Sequence, residues 1–313
     1  MKATEKLDSP ENVGISGCVR SAAPASVRGP VAPLWEWAEL IKVEHTVFAL
    51  PFALSGLVLS SPKLPGFSLV FYTVLAFAGA RAAAMTLNRL IDAQIDALNP
   101  RTCQRSIPAG RIARVHAAIF AVACFALMLW AAAHLPPICL WLSPIAIAWL
   151  SLYSYSKRFT WACHLILGIA LGGAALGGWV ASSGQISGLA PWLLSLAVST
   201  WVAGFDIIYA CQDLDFDRSQ QLYSLPAAFG LGPALAVSSL LHLVTVGGLI
   251  GLGLNLGLGV FYWSGVALVA VMLVWEHLLV RPTDLSRVNA AFFNVNGFVS
   301  IAAFAAIWLD KLL

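Results

Sequence analysis

Residues 159–205 read FTWACHLILGIALGGAALGGWVASSGQISGLAPWLLSLAVSTWVAGF, without one Asp, Glu, Lys or Arg. A bilayer-spanning helix needs about 20 mostly apolar residues, so this stretch holds two, parted at Ser182-Ser183-Gly184-Gln185. Uncharged runs also cover 45–62, 64–80, 115–156, 219–275 and 288–309. The run 115–156 divides at Pro136-Pro137, and 219–275 divides within the glycine-rich segment 251–259. The expected architecture is an all-α membrane protein of about nine transmembrane helices. Two spans overrun their uncharged limits. The second, near 67–93, includes Arg81, and the sixth, near 190–211, includes Asp206.

Composition agrees. Of 313 residues, 59% are hydrophobic and 33 are charged, 11 of these within the first 45 residues. Soluble domains carry about a quarter charged residues, so a soluble enzyme or a disulfide scaffold is excluded. A net charge of +3 offers no footprint for nucleic acid. The lipid bilayer is the expected partner of most of the surface. The six cysteines form no CxxC and read as small apolar filler.

Lys and Arg sort by loop. Arg101, Arg105, Arg111, Arg114, Lys157, Arg158, Arg218, Arg281 and Arg287 fall on one side, Lys63 and Lys311 on the other. The positive-inside rule then puts the N-terminus in the cytoplasm and the C-terminus outside. Residues 1–33, rich in Ala, Pro, Ser and Gly, are expected to be a disordered cytoplasmic tail, and 34–313 the transmembrane domain. Residues 35–45 suit an interfacial helix. The tryptophans suit interfacial belts, and Gly168, Gly172, Gly173, Gly177 and Gly178 suit close helix packing. Glu276-His277 reads as a pair at the end of a helix.

Acidic residues gather at two helix ends on the cytoplasmic side. In the first, Asn88, Asp92 and Asp96 stand at i, i+4 and i+8, one helix face drifting by about 40° per step. In the second, Asp206, Tyr209, Asp213 and Asp217 stand at i, i+3, i+7 and i+11, again one face, with Asp215 opposite and solvated. Carboxylates beside hydrocarbon are costly and repel one another. Divalent cations between the two helices relieve both costs, and Mg²⁺ takes oxygen ligands and completes its shell with phosphates. Spacing therefore points to a Mg²⁺–diphosphate site at the cytoplasmic rim of a lipid-walled cavity. The ion path of a cation-coupled transporter is the rival. Arg101 and Arg105 behind Asp96, with Lys157-Arg158 on the same side, favour phosphate. Arg81, two turns deeper than Asn88, needs an anionic partner there.

At these positions the chain resembles the UbiA superfamily of intramembrane prenyltransferases. That family carries an Asn with Asp at +4 and +8, then Asp-x-x-Tyr-x-x-x-Asp-x-x-x-Asp. The segments EHTVFALPFAL (44–54), NRLIDAQIDALNPRT (88–102) and YSYSKRFTWACHLILG (153–168) are similar to the 4-hydroxybenzoate polyprenyltransferase branch, which includes the futalosine-route menaquinone enzymes. The resemblance implies a helical bundle around a central cavity open to the bilayer, in a bacterial inner membrane. It implies transfer of a polyprenyl group from its diphosphate to an aromatic acid such as 4-hydroxybenzoate or 1,4-dihydroxy-6-naphthoate, in quinone biosynthesis. Mg²⁺ would be held by Asp92, Asp96, Asp213 and Asp217, with Asn88 and Asp206 assisting. Arg105, Lys157 and Arg158 would contact the diphosphate, Tyr209 the allylic cation, and Arg81 the acceptor's carboxylate. Another acceptor within the family is the remaining alternative. Two positions depart from the pattern: Arg89 replaces a common Asp, and Tyr223 a common Lys or His.

Overall fold

The computed structural model describes residues 33–313, the side chains of 44–48 excepted. The expected tail, apart from Pro33, and the side chains of the Glu44-His45 pair lie outside the described residues. Among the described residues there is no β-strand, only an isolated bridge between Arg281 and Asp284.

A short helix, α1 (Leu34–Ile41), precedes α2 (Val43–Ser60). Then follow α3 (Phe67–Ile91), α4 (Ala93–Leu98), α5 (Arg114–Ala132), α6 (Pro137–Ser156), α7 (Cys163–Ser183) and α8 (Ala190–Ala210). A 3₁₀ turn, Cys211–Asp213, leads to α9 (Leu214–Ser219) and α10 (Leu225–Phe229). The chain ends with α11 (Leu231–Leu256), α12 (Val260–Leu279) and α13 (Val288–Leu312). Among the described residues, eight helices are long and apolar enough to cross a membrane, and α2 stands where the first of the nine expected spans begins. The turn signals chosen from the sequence act where they were expected. Gly184 (φ +69°) and Gly257 (φ +63°) take left-handed conformations that close α7 and α11, and Pro137 opens α6.

Packing runs as a closed ring. Helix α2 touches α3, α3 touches α6, and contacts continue through α7, α8, α11, α12 and α13 back to α2. Helix α5 lies outside against α3, and α2 also packs on α7. Lipid is as apolar as leucine, so helices associate in it by close backbone approach and interhelical hydrogen bonds. Gly178 shows the first: a Cβ there would stand 1.8 Å from Ala53 O on α2. Gly168 does the same on the other face, 2.2 Å from Ser199 O on α8. Gly173 and Gly177, expected to pack likewise, meet nothing within 4 Å. Each follows or precedes a packing glycine, Gly172 or Gly178, and so lies about 100° around the helix from it.

Helix α8 sits innermost, with Leu194, Val198, Trp201, Val202 and Ile207 nearly inaccessible. Trp201 and Trp179 are therefore core residues, whereas Trp130, Trp141, Trp192 and Trp275 stay exposed near helix ends, as an interfacial belt requires. Cys124, Cys163 and Cys211 are free and buried, as filler should be. Glu276 corrects the reading of a helix-end pair. It is fully buried, accepts a hydrogen bond from Asn296 Nδ2 (2.8 Å), and lies 3.8 Å from His242.

Candidate active site

Both acidic motifs lie where long spans end. Helix α3 stops at Asp92 (φ −86°, ψ 0°), and α4 resumes at once. The turn-to-turn bonds survive the break, since Asp92 N donates to Asn88 O (2.9 Å) and Asp96 N to Asp92 O (2.8 Å). Asn88, Asp92 and Asp96 thus keep the single face expected of them, and Asn88 Nδ2 donates to Asp92 Oδ2 (3.3 Å). In the second motif α8 tightens into the 3₁₀ turn before α9, so Asp213 and Asp217 lie beyond the regular helix that carries Asp206 and Tyr209. Asp215 is exposed, as expected.

Each site carboxylate has its own partner. Asp92, 2% exposed, lies 2.6 Å from Lys157 Nζ and 2.9 Å from Arg158 Nη2. Asp96, also buried, takes Arg105 Nη1 on both oxygens (2.7 and 2.8 Å), with Arg89 Nη1 at 3.9 Å. Asp213 accepts from Arg101 Nε (2.9 Å) and Nη2, and from Asn99 Nδ2 (3.2 Å). Asp217 accepts from the Ser224 hydroxyl (2.7 Å), which also caps α10. Asp206 is bound to His164. The ring's Nε2 accepts the Leu225 amide (3.2 Å), which leaves Nδ1 as the protonated nitrogen donating to Asp206 (2.7 Å).

The loop after α4 joins the motifs. Asn99 Oδ1 accepts from the Arg101 amide (2.9 Å) and so turns the loop toward α8. Arg101 then reaches Asp213 and donates from Nη1 to Tyr209 Oη (2.8 Å). Burial alone would lower the affinity of Arg101 for its proton, but the bonds to Asp213 and the nearby Tyr209 outweigh it and hold the guanidinium charged. Beside this bridge lies a cavity of about 250 Å³ whose lining includes Lys42, Arg89, Arg101, Arg105, Ser106 and Tyr209. Helix α1 closes one side. Its buried Glu36 accepts from Ser106 Oγ (2.8 Å) and pairs with Arg111 Nε (2.7 Å).

Several predicted residues stand apart from this cavity. Lys157 and Arg158 meet Asp92, and Arg158 also donates to Ile91 O (2.9 Å). Arg81 lies deeper in α3, its Nε buried without a hydrogen-bond partner. Tyr223 is exposed and is not among the residues lining the cavity, while its amide donates to Lys157 O (2.8 Å). Arg89, noted only as a departure, is buried beside Asp96 and lines the cavity. Asn99 and His164 were not picked out at all. Their sequence signal is weak, because neither belongs to a repeat of charges and each acts through tertiary contacts.

As for a metal, the donor chemistry fits: the motif side chains are hard oxygen donors, and buried Asp92 Oδ1 accepts no hydrogen bond despite its cationic neighbour. Among the described residues, no three acidic, His or Cys side chains already converge as a ligand set. Cations hold Asp92, Asp96 and Asp213 one by one, so a metal at these carboxylates would have to displace them.

The model of the UbiA prenyltransferase family matches residues 49–300. The chain is similar to the 4-hydroxybenzoate octaprenyltransferase of Tolumonas auensis, 30% identical over 277 residues that cover 88% of this chain and 96% of that protein. It is similarly related to that of Marinobacter nauticus, 31% identical over 284 residues covering 89% and 95%. Among solved structures, an apo UbiA homologue from Aeropyrum pernix K1 superposes with a TM-score of 0.79 at 38% identity, covering 87% of this chain and 99% of that one. A UbiA homologue from Archaeoglobus fulgidus bound to DMAPP and Mg²⁺ shares the fold, with a TM-score of 0.70 at 19% identity over 89% and 99% of the two chains. Multi-pass, all-helical and matched over most of its length, the chain belongs to the UbiA prenyltransferase family.

Proposed function

We propose that this prenyltransferase moves a polyprenyl group from its diphosphate to an aromatic acid of the 4-hydroxybenzoate or 1,4-dihydroxy-6-naphthoate type, at the cytoplasmic face of a bacterial inner membrane. The observation that carries the reading is the cavity beside the Arg101 bridge, where Lys42, Arg89, Arg101 and Arg105 outnumber the single carboxylate of Glu39. A multiply charged anion is the ligand that such a lining suits. The 4-hydroxybenzoate specificity named for the curated relatives supports the acceptor class.

The cation–carboxylate pairs suggest how the site accepts its substrate. Arg105 and Arg101 reach the diphosphate from the cavity, while Lys157 and Arg158 hold Asp92 until the anion arrives. Mg²⁺, held by Asp92, Asp96, Asp213 and Asp217 with Asn88 and Asp206 in support, would supply the charge that stabilises the leaving diphosphate. The partner exchange costs little net charge, because the arginines move from carboxylate to phosphate. Fixed positive groups then stabilise the developing negative charge as the allylic C–O bond breaks. Tyr209, held by Arg101, presents its ring to the allylic cation. The acceptor's ring carbon ortho to its phenolic oxygen forms the new C–C bond and then loses its proton. Arg81, with its unpartnered Nε, orients the acceptor's carboxylate from deeper in α3.

The test is a product assay with the purified protein, a polyprenyl diphosphate and isotopically labelled aromatic acids. A Mg²⁺-dependent, chelator-sensitive prenylated acid is expected. Transfer that is indifferent to chelation refutes the metal, and failure with every carboxylated phenol or naphthol refutes the acceptor class.

A further inference from the structure

Helix α13 is irregular at the end nearer the site. Residues Ala291–Val295 form a π-turn, in which one extra residue is fitted into the helix. Such turns release carbonyls from the regular ladder and recur at functional sites. Here one side chain bonds to two carbonyls of the turn. Asn296, 1% exposed, donates from Nδ2 to Ala291 O and Phe292 O, both at 3.2 Å. The same nitrogen donates to Glu276 Oε1 on α12 (2.8 Å). Asn296 would bond to its own turn without Glu276, yet a fully buried carboxylate is spent on fixing it. The second oxygen of Glu276 accepts no hydrogen bond, and the nearest imidazole, His242, lies 3.8 Å away and donates to Trp201 O instead. An isolated buried carboxylate oxygen is costly.

The π-turn delivers Phe292. Its ring lies 4.3 Å from that of Tyr209 and 5.3 Å from that of Phe205, measured between centroids. The Tyr209 hydroxyl is in turn held by Arg101 Nη1 (2.8 Å). A chain of direct contacts therefore runs from Glu276 through Asn296 and the π-turn to Phe292 and the tyrosine at the cavity wall. We propose that Glu276 and Asn296 are positioning residues: they fix the π-turn so that Phe292 backs Tyr209 and sets the place of its ring and hydroxyl at the cavity. This rests on the reading of Tyr209 as part of the transfer site.

The test uses the purified full-length protein with two readouts: steady-state kinetics, and the ¹⁹F resonance of 3-fluorotyrosine introduced at position 209 alone. Asn296→Ala should lower kcat by about tenfold or more, with the KM for polyprenyl diphosphate changed by no more than about twofold, because misplacement at the reacting centre costs turnover rather than binding. It should also shift the ¹⁹F resonance. Phe292→Leu should reproduce both effects, and Glu276→Leu should follow Asn296→Ala. Glu276→Gln should stay within about twofold of the unmodified protein, since its amide oxygen still accepts from Asn296. Should Asn296→Ala not fold, Phe292→Leu and the two Glu276 variants carry the test. An unmoved resonance and unchanged kcat in folded Asn296→Ala, or in folded Phe292→Leu, overturns the proposal. If the unmodified protein forms no prenylated product, the reading of function fails, while the resonance shift still decides the positioning claim.

Discussion

Arg101 stands on the loop behind α4, yet its guanidinium lies on Asp213 and Tyr209, residues of the other acidic motif. It neutralises a carboxylate, grips an aromatic ring and lines the cavity at once. Arg101→Gln should therefore raise the KM for polyprenyl diphosphate by about 10- to 100-fold, the worth of a hydrogen bond to a charged group, and initial-rate kinetics would show it. A KM that does not move would place the anion elsewhere. Much at this scale was legible in the sequence. The five Asp residues at helical spacing announced themselves by charge in an uncharged chain, and Asn88 by its place on the face of the first pair. Arg89 announced itself only as a departure, and its lining of the cavity came from the fold. His164 could not be read at all, because its role is a bond to Asp206 across two helices and nothing local marks it.

At the scale of elements, the close helix pairs α2–α7 and α7–α8 depend on glycine at the crossing points. Gly178 admits Ala53 O to within 1.8 Å of where a Cβ would stand, and that neighbour is backbone, which cannot swing aside. Gly178→Ala should destabilise the protein by about 1–3 kcal/mol through overpacking, whereas Gly177→Ala, facing open space, should be nearly neutral. Thermal unfolding in detergent compares the two, and equal losses would contradict the crossing described here. The spans themselves were legible from uncharged runs and turn residues. Which glycines pack was only half legible, because a run of Gly-Gly pairs shows that helices approach without showing from which side. Glu276 misled for a related reason. A carboxylate one turn from a helix end normally meets water, but here α13 covers it and supplies Asn296.

The whole molecule brings together residues that the chain keeps far apart. The loop carrying Asn99 and Arg101 ties the end of the first motif to Asp213 in the second. On the proposed mechanism Asp92 and Asp213 belong to one diphosphate site rather than to two solvated helix ends. Groups that act as a unit lose their effects non-additively. The direct measurement is turnover, in the Mg²⁺-dependent transfer assay, of Asp92→Asn, Asp213→Asn and the double variant. Each single change should cut turnover by about 10²-fold or more, in the range of lost electrostatic stabilisation, with the double variant little worse than either alone. Near-normal turnover in either single variant, or losses that simply multiply in the double, would contradict a single shared site.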